Sequence, residues 1–178
     1  MHLLAKVTRP RGGRALRRAR LFAVLDRARE GRAAWVHGED GAGKTTLLAT
    51  YVEARKLPCL WYRLDEADAD PGTFLHGLRL AAPCNARRAE PCLPLAAAEL
   101  GAGAGPSLRR CFRSLSDCAP APFLLVFDDY HRLDPGSPVH ALLAQAIPEL
   151  PPGATAVFLS RTPPHPLLPV KAATDVTP

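Results

Sequence analysis

No apolar run in this 178-residue chain approaches the roughly 20 residues needed to cross a bilayer, which excludes a transmembrane helix. The start Met-His-Leu-Leu-Ala-Lys lacks the charged-then-apolar order of a secretory signal. Its Arg-rich, acid-poor opening and the pair Arg17-Arg18 have the flavour of a transit peptide or a twin-arginine signal. No apolar export segment follows, however, and Leu21, Phe22, Leu25 and Ala28 form an ordinary amphipathic stripe. The five cysteines are an odd number without a C-x-x-C pair. Cys111 and Cys118 fall on the stripe Leu108, Cys111, Phe112, Leu115, Cys118, where a reduced thiol acts as a small hydrophobe. A reducing, cytoplasmic setting is expected. Metal-ligand spacing is missing among the histidines at 2, 37, 76, 140 and 165. Lysine is scarce, 4 against 19 arginines, so arginine is partly a habit of composition and an Arg-rich stretch is weak ground for a polyanion site.

A hydrophobic content of 47% at this length fits one globular domain with a sizeable core. The net charge of +6 is unevenly placed. Residues 1–32 hold ten Lys/Arg against Asp26 and Glu30, and the remainder is slightly acidic. The basic character therefore belongs to an N-terminal arm and helix. Phosphate-backbone binding by this arm is the less favoured account of its charge, since arginine is favoured throughout the chain.

The richest stretch is Gly38-Glu-Asp-Gly-Ala-Gly-Lys-Thr45, followed by Thr46. It fits G-x-x-x-x-G-K-[ST], in which backbone N–H groups wrap a phosphate, a lysine reaches the outer phosphates and a hydroxyl holds Mg²⁺. The pattern alone has false positives, but the apolar run Ala33-Ala-Trp-Val-His37 precedes it and the helical pattern Leu47, Leu48, Tyr51, Val52 follows. Gly38, Gly41, Ala42, Gly43, Lys44, Thr45 and Thr46 are thus the nucleotide-binding residues. Lys44 supplies charge and Thr45 a metal ligand. Glu39 and Asp40 would repel a triphosphate unless their side chains point outward.

Strand and helix patterns alternate along the rest of the chain. A helix is expected at 15–30, strands at 33–38, 58–64, 122–128 and 154–160, and helices at 45–56, from Asp70-Pro71, at 107–117 and from Ser137-Pro138. Residues 83–106, rich in Pro, Ala and Gly, read as a long loop, and 162–178 as a proline-rich tail. The core at 33–161 is then an α/β three-layer sandwich on a mostly parallel sheet, with ligands beyond the carboxyl ends of the strands. At those ends stand the phosphate loop, Asp128-Asp129 and Ser160-Arg161.

Four apolar residues followed by Asp128-Asp129 suit the far side of a nucleoside triphosphatase site. Asp128 can support Mg²⁺ beside Thr45, and Asp129 can orient or deprotonate a water. Arg161 could answer γ-phosphate charge from the same edge. Two exposed turn aspartates and a surface arginine are the plainer alternatives. Asp65, Glu66 and Asp68 read as a solvated loop whose last member, Asp70, caps a helix, in preference to a second metal patch. His131 reads as a turn-stabilising residue, with a catalytic role as the alternative.

Taken together these residues resemble a known family: the nucleotide-binding domain of the MalT-like, LuxR-type transcriptional regulators, among the signal-transduction ATPases with numerous domains. The resemblance lies in Lys6-Val-Thr-Arg-Pro10, Arg18-Ala-Arg-Leu21, the phosphate loop, Trp61-Tyr-Arg-Leu-Asp-Glu-Ala-Asp-Ala-Asp-Pro71 with Phe74, Asp128-Asp-Tyr-His131 and Leu159-Ser-Arg161. It implies a P-loop NTPase fold binding ATP or ADP with Mg²⁺. Lys44 and Thr45 would hold phosphate and metal, Asp128 would support the metal, Asp129 would be the catalytic-type acid, and Arg161 would sense the γ-phosphate. Such regulators continue through further domains that end in a DNA-binding helix-turn-helix, and DNA binding is not expected of this stretch alone.

An ATP-binding switch module with slow hydrolysis is therefore the leading reading. A small-molecule kinase, with Arg87-Arg88 or Arg109-Arg110 in a lid, is the second, and a non-catalytic remnant the third. P-loop folds of this class order their strands 5-1-4-3-2. The stretch after Arg161 is too proline-rich for the expected fifth strand. The strand at 33–38 is accordingly expected to be an exposed edge prone to self-association, unless residues 1–8 or 170–177 cover it.

Overall fold

The computed structural model describes residues 5–12, 18–82, 103–117, 119–170 and 172–176, with the backbone alone at 172–175. Five parallel strands carry the fold: β1 (Ala33–His37), β2 (Cys59–Arg63), β3 (Phe123–Asp128), β4 (Ala154–Ser160) and β5 (Ala172–Asp175). Their order is β2-β3-β4-β1-β5, and all four pairings are parallel. Parallel strands need crossovers, which the helices α2 (Lys44–Arg55), α3 (Pro71–Ala81), α4 (Ala104–Arg113) and α5 (Val139–Ala146) supply between β1 and β4, and with α1 (Ala19–Ala28), which precedes β1, they cover the sheet. The expected α/β architecture is borne out.

The alternation of side chains along each strand divides the core into two layers. Trp35, Leu60, Tyr62, Leu125, Phe127, Ala156 and Phe158 face α3, α4 and α5. Ala34, Val36, Trp61, Leu124, Val126, Val157 and Leu159 face α1 and α2. Each strand is apolar throughout because both of its faces are buried. On the first face the register sets Phe127 opposite Phe158 and Phe158 opposite Trp35. Phe74 of α3 extends that row of rings, with centroids 5.8 Å from Phe74 to Phe127, 5.2 Å on to Phe158 and 5.5 Å to Trp35. On the second face Phe22 of α1 meets Tyr51 of α2 edge-on, and Asp26 accepts from the Tyr51 hydroxyl and from Arg55. The Arg55 hydrogen bond holds the Asp26 carboxyl below its ordinary value.

Three expectations are corrected. The sheet has its fifth strand, and of the two stretches that could have covered β1 it is 170–177 that does so: residues 172–175 pair with Ala34–His37, and the Val176 N–H continues the ladder to the His37 carbonyl. The strand at 33–38 is not an edge, and the ground for self-association along it falls away. Four residues suffice for this strand, too few and too alanine-rich to show in a sequence pattern. Secondly, α4 begins at Ala104 and gives way to a 3-10 turn at Ser114–Asp117, where a helix at 107–117 was expected. Residues 83–102 of the expected loop lie outside the described residues, as do Arg17, Arg87, Arg88 and Cys118. Arg109-Arg110, the other lid candidate, sits on α4, which packs against α5.

The third correction concerns the acidic run. Asp70 does cap α3, accepting from the Thr73 N–H, but Asp68 is fully buried. Its carboxylate takes the Lys6 ammonium at 2.9 Å, the Tyr62 hydroxyl and the Asp65 N–H. Asp65 holds the same ammonium at 2.7 Å and caps the short Glu66–Ala69 turn. A buried carboxylate is tolerable only when so fully satisfied. The N-terminal segment is thereby pinned beside β2, and Gly12 reaches α2 through the Glu53 carboxylate.

Asp68→Ala should cost about 3 kcal/mol, since it strands a partly buried ammonium and a buried phenol. Asp65→Ala, at the exposed end of the same cluster, should cost less than about 1 kcal/mol. Urea unfolding of both variants checks the difference, and equal losses would contradict it.

Candidate functional site

The loop between β1 and α2 turns sharply enough to need left-handed backbone. Gly41 has φ 77° and Gly43 φ 82°. No atom lies within 4 Å of a Cβ built on either, so the demand there is conformational rather than spatial. Gly38 is a different case, because a Cβ would stand 2.7 Å from the Val176 carbonyl oxygen that follows β5. Helix α2 then starts at Lys44, and Leu47 N–H is bonded back to the Gly43 carbonyl. The N–H groups of Lys44, Thr45 and Thr46 ahead of it are the open donors of a helix N-terminus, which favours an anion. Ala42 is buried, while Glu39 and Asp40 are exposed, as the loop requires of two carboxylates beside a phosphate site.

Lys44 folds over the loop and donates to the Gly38 carbonyl at 2.7 Å and the Glu39 carbonyl at 2.8 Å. Its ammonium is thereby stationed where the loop closes, on neutral acceptors that an anion can outbid. Thr45 Oγ1 shares its hydrogen between the two Asp128 carboxylate oxygens, at 3.1 and 3.2 Å. Asp128 is 3% exposed. Burial, and then the neighbouring Asp129 carboxylate, raise the Asp128 carboxyl above its ordinary value, against the hydrogen bonds from Thr45 and from the Asp129 N–H.

Asp129 follows in the left-handed region with φ 56°, which a short polar side chain tolerates better than most. Its Oδ2 accepts from Arg63 Nε at 2.7 Å. Arg161 leaves the end of β4 toward the phosphate loop and pairs with Asp40 at 2.9 Å. Lys44, Thr45, Asp128, Asp129 and Arg161 are thus brought to one edge of the sheet. His131 stands on the 3-10 turn Tyr130–Arg132, with its Nδ1 buried and without a partner. Burial lowers its basicity, and the charges of Asp129, Arg161 and Lys44 act on it from the same edge.

Two arginines at this edge escaped the sequence reading. Arg63 meets Asp129, and Arg132 meets Glu66 at 2.8 Å. The signal for the first was its place as the last residue of a strand, the same place that singled out Asp128.

Among the described residues no group of three His, Cys, Asp or Glu could hold a metal ion. A small hard cation such as Mg²⁺ needs fewer protein ligands, keeping water and phosphate oxygens for the rest. Two oxygens about 3 Å apart span neighbouring positions of an octahedron with metal–oxygen bonds of 2.0–2.1 Å, and the Thr45–Asp128 pair fits that spacing.

Comparison with known proteins decides among the folds that could carry such a loop. The family described as AAA ATPase domain matches residues 12–158. The chain belongs to that family. As an AAA ATPase domain it is a nucleotide-binding module, and its strands β1 to β3, phosphate loop and Asp128-Asp129 all lie within the match, which ends inside β4. It is also similar to the HTH-type transcriptional regulator MalT of Cronobacter sakazakii (strain ATCC BAA-894), with 32% identity over 176 residues. That match takes in 93% of this chain and 18% of the regulator, so the chain spans less than a fifth of the relative's length. The resemblance to MalT-like regulators seen in the motifs is borne out. No helix of this AAA ATPase domain, among the described residues, is long and apolar enough to cross a membrane.

Gly38→Ala should disturb the phosphate loop and the β1–β5 pairing together, because the new methyl group meets the backbone at Val176. Amide exchange of β5 should quicken and the thermal midpoint should fall by several degrees, a loss of about 1–3 kcal/mol. An unchanged midpoint would show that the tail gives way at no cost.

Proposed function

We propose that this domain binds ATP with Mg²⁺, hydrolyses it slowly, and uses the bound nucleotide as a conformational switch. The observation that carries the reading is the contact between Thr45 and Asp128, a hydroxyl and a buried carboxylate joined at the mouth of a phosphate loop. A Mg²⁺ ion held there would supply charge neutralisation between the phosphates. The chain's own groups do the remainder. Thr45 and Asp128 would hold the metal. The open N–H groups of Lys44, Thr45 and Thr46, with the loop from Gly38 through Gly43, cradle the phosphates, and Lys44 leaves its two carbonyls for the outer phosphate. Asp129 orients the attacking water and takes its proton. Arg161, beside the loop through Asp40, answers charge on the γ-phosphate.

The similarity to a transcriptional regulator supports a regulatory use of the switch in place of metabolic phosphoryl transfer. Under this reading the output is a change in how the domain packs against its surroundings, and DNA contact is left to other parts of the relative. A kinase would need a lid, and of the two candidate arginine pairs the described one lies on an ordered helix.

Lys44→Ala should weaken Mg-ATP binding at least about tenfold while leaving the thermal midpoint nearly unchanged, because it removes a charge-assisted phosphate contact and no core packing. Asp129→Asn should keep the affinity and abolish turnover, whereas Asp128→Asn should remove the Mg²⁺ dependence of binding. Calorimetry with and without Mg²⁺, paired with phosphate-release assays, checks all three. Undiminished binding by Lys44→Ala would contradict the site.

A further inference from the structure

We propose that Trp35 is a positioning residue: its indole N–H fixes the turn that carries Arg161, and through Arg161 the ability of the site to tell a triphosphate from a diphosphate. The inference rests on the reading of Arg161 given above. The guanidinium itself is loosely kept, because its ion pair with Asp40 leaves the arginine side chain 43% exposed and the aspartate 78% exposed. Such a pair is weak and gives way to a more highly charged partner. What holds Arg161 at the phosphate loop is therefore its backbone.

That backbone is anchored on both sides. Ser160, before it, is the last residue of β4, fully buried and in register with His37 of β1. Its Oγ accepts from the Thr162 N–H at 3.1 Å and lies 3.0 Å from Thr162 Oγ1. Thr162, after it, accepts at its carbonyl from Trp35 Nε1 at 3.0 Å. A helix could not have satisfied this carbonyl locally. Its donor would be the residue four positions on, which is Pro166, and Pro163 disfavours helical backbone at Thr162. A side chain 127 positions earlier supplies the donor instead.

The indole that does so is itself wedged in place. Trp35 is fully buried, stacks on Phe158, its partner in the β1–β4 register, and meets Tyr130 edge-on with centroids 5.3 Å apart. The Tyr130 hydroxyl is in turn 2.7 Å from His140 Nδ1. One side chain thus touches the residue after Asp129 and the residue after Arg161, the two groups assigned to the γ-phosphate end of the site. Pulling Thr162 away would strand a buried donor, so the brace persists when nucleotide is bound. Trp61 supplies the contrast: it is as deeply buried, and its Nε1 finds no acceptor among the described residues.

Calorimetry of the full chain with Mg-ADP, and with the Mg²⁺ complex of a non-hydrolysable ATP analogue, tests the brace. Trp35→Phe keeps a ring against Phe158 and Tyr130 and removes the donor. It should weaken analogue binding about three- to tenfold while changing ADP binding less than about twofold. Arg161→Ala should lose analogue affinity relative to ADP in the same way, and Trp35→Phe added to it should cost nothing further, because two residues acting as one unit are not additive. Phe74→Leu, at the far end of the row of rings, is the control for core damage and should lower the thermal midpoint with the analogue-to-ADP ratio unchanged. In the wild-type chain the Trp35 indole N–H should resonate downfield of that of Trp61, in the free protein and in the analogue complex alike. A ratio kept by Trp35→Phe, a ratio lost equally by Phe74→Leu, or a downfield shift that vanishes on loading overturns the brace. A further loss in the double variant overturns it too, since Trp35 then acts otherwise than through Arg161. An unchanged ratio in Arg161→Ala removes the role of Arg161 and the brace together while the nucleotide site stands. A wild-type chain that binds neither nucleotide overturns the functional reading itself.

Discussion

A single hydrogen bond between residues 83 positions apart, Thr45 to Asp128, shows what the fold brings together. It exists because β3 and β1 both lie against β4 in parallel register, so that the chain leaving β1 and the last residue of β3 emerge at the same edge. Parallel strands all point their carboxyl ends the same way, and the loops that follow must meet there. The row of rings from Phe74 through Phe127 and Phe158 to Trp35 locks that register from one face. A slip of one residue would turn these rings to the wrong layer and carry Asp128 away from Thr45.

The edge so assembled is a standing arrangement of opposite charges, each held by a neighbour. Lys44 rests on carbonyls, Asp128 on a hydroxyl and an N–H, Asp129 on Arg63, and Arg161 on Asp40. None of these contacts is deep enough to resist a multiply charged ligand except the burial of Asp128, and burial makes that carboxyl reluctant to stay ionised alone. An arriving cation relieves the reluctance. On the proposed reading, the geometry that keeps the free site stable is also the one that would receive Mg²⁺ and phosphate.

Much of this was legible in the residues. The four longer strands announce themselves because burial on both faces demands unbroken apolar runs, and the phosphate loop because its glycines answer a backbone requirement. What escaped was set by partners far away in sequence. Asp68 looked like one of several loop carboxylates, and only Lys6, 62 positions earlier, and the Tyr62 hydroxyl make its burial affordable. β5 was hidden by its brevity and by the prolines before it, yet Gly38 carried a trace of it: the first glycine of the loop has β5's exit pressed against it. Arg63 offered only its place at a strand end, and that it meets Asp129 is decided by what the adjacent strand sets beside it.

The central claim is that Thr45, Asp128 and the phosphate loop form a site for a magnesium-bound nucleotide. Calorimetric titration of the full chain with ATP, in Mg²⁺ and again in a chelator, tests it most directly. The account predicts one saturable site whose affinity falls markedly when the metal is withdrawn. Binding of equal strength in both conditions, or no heat in either, would contradict it.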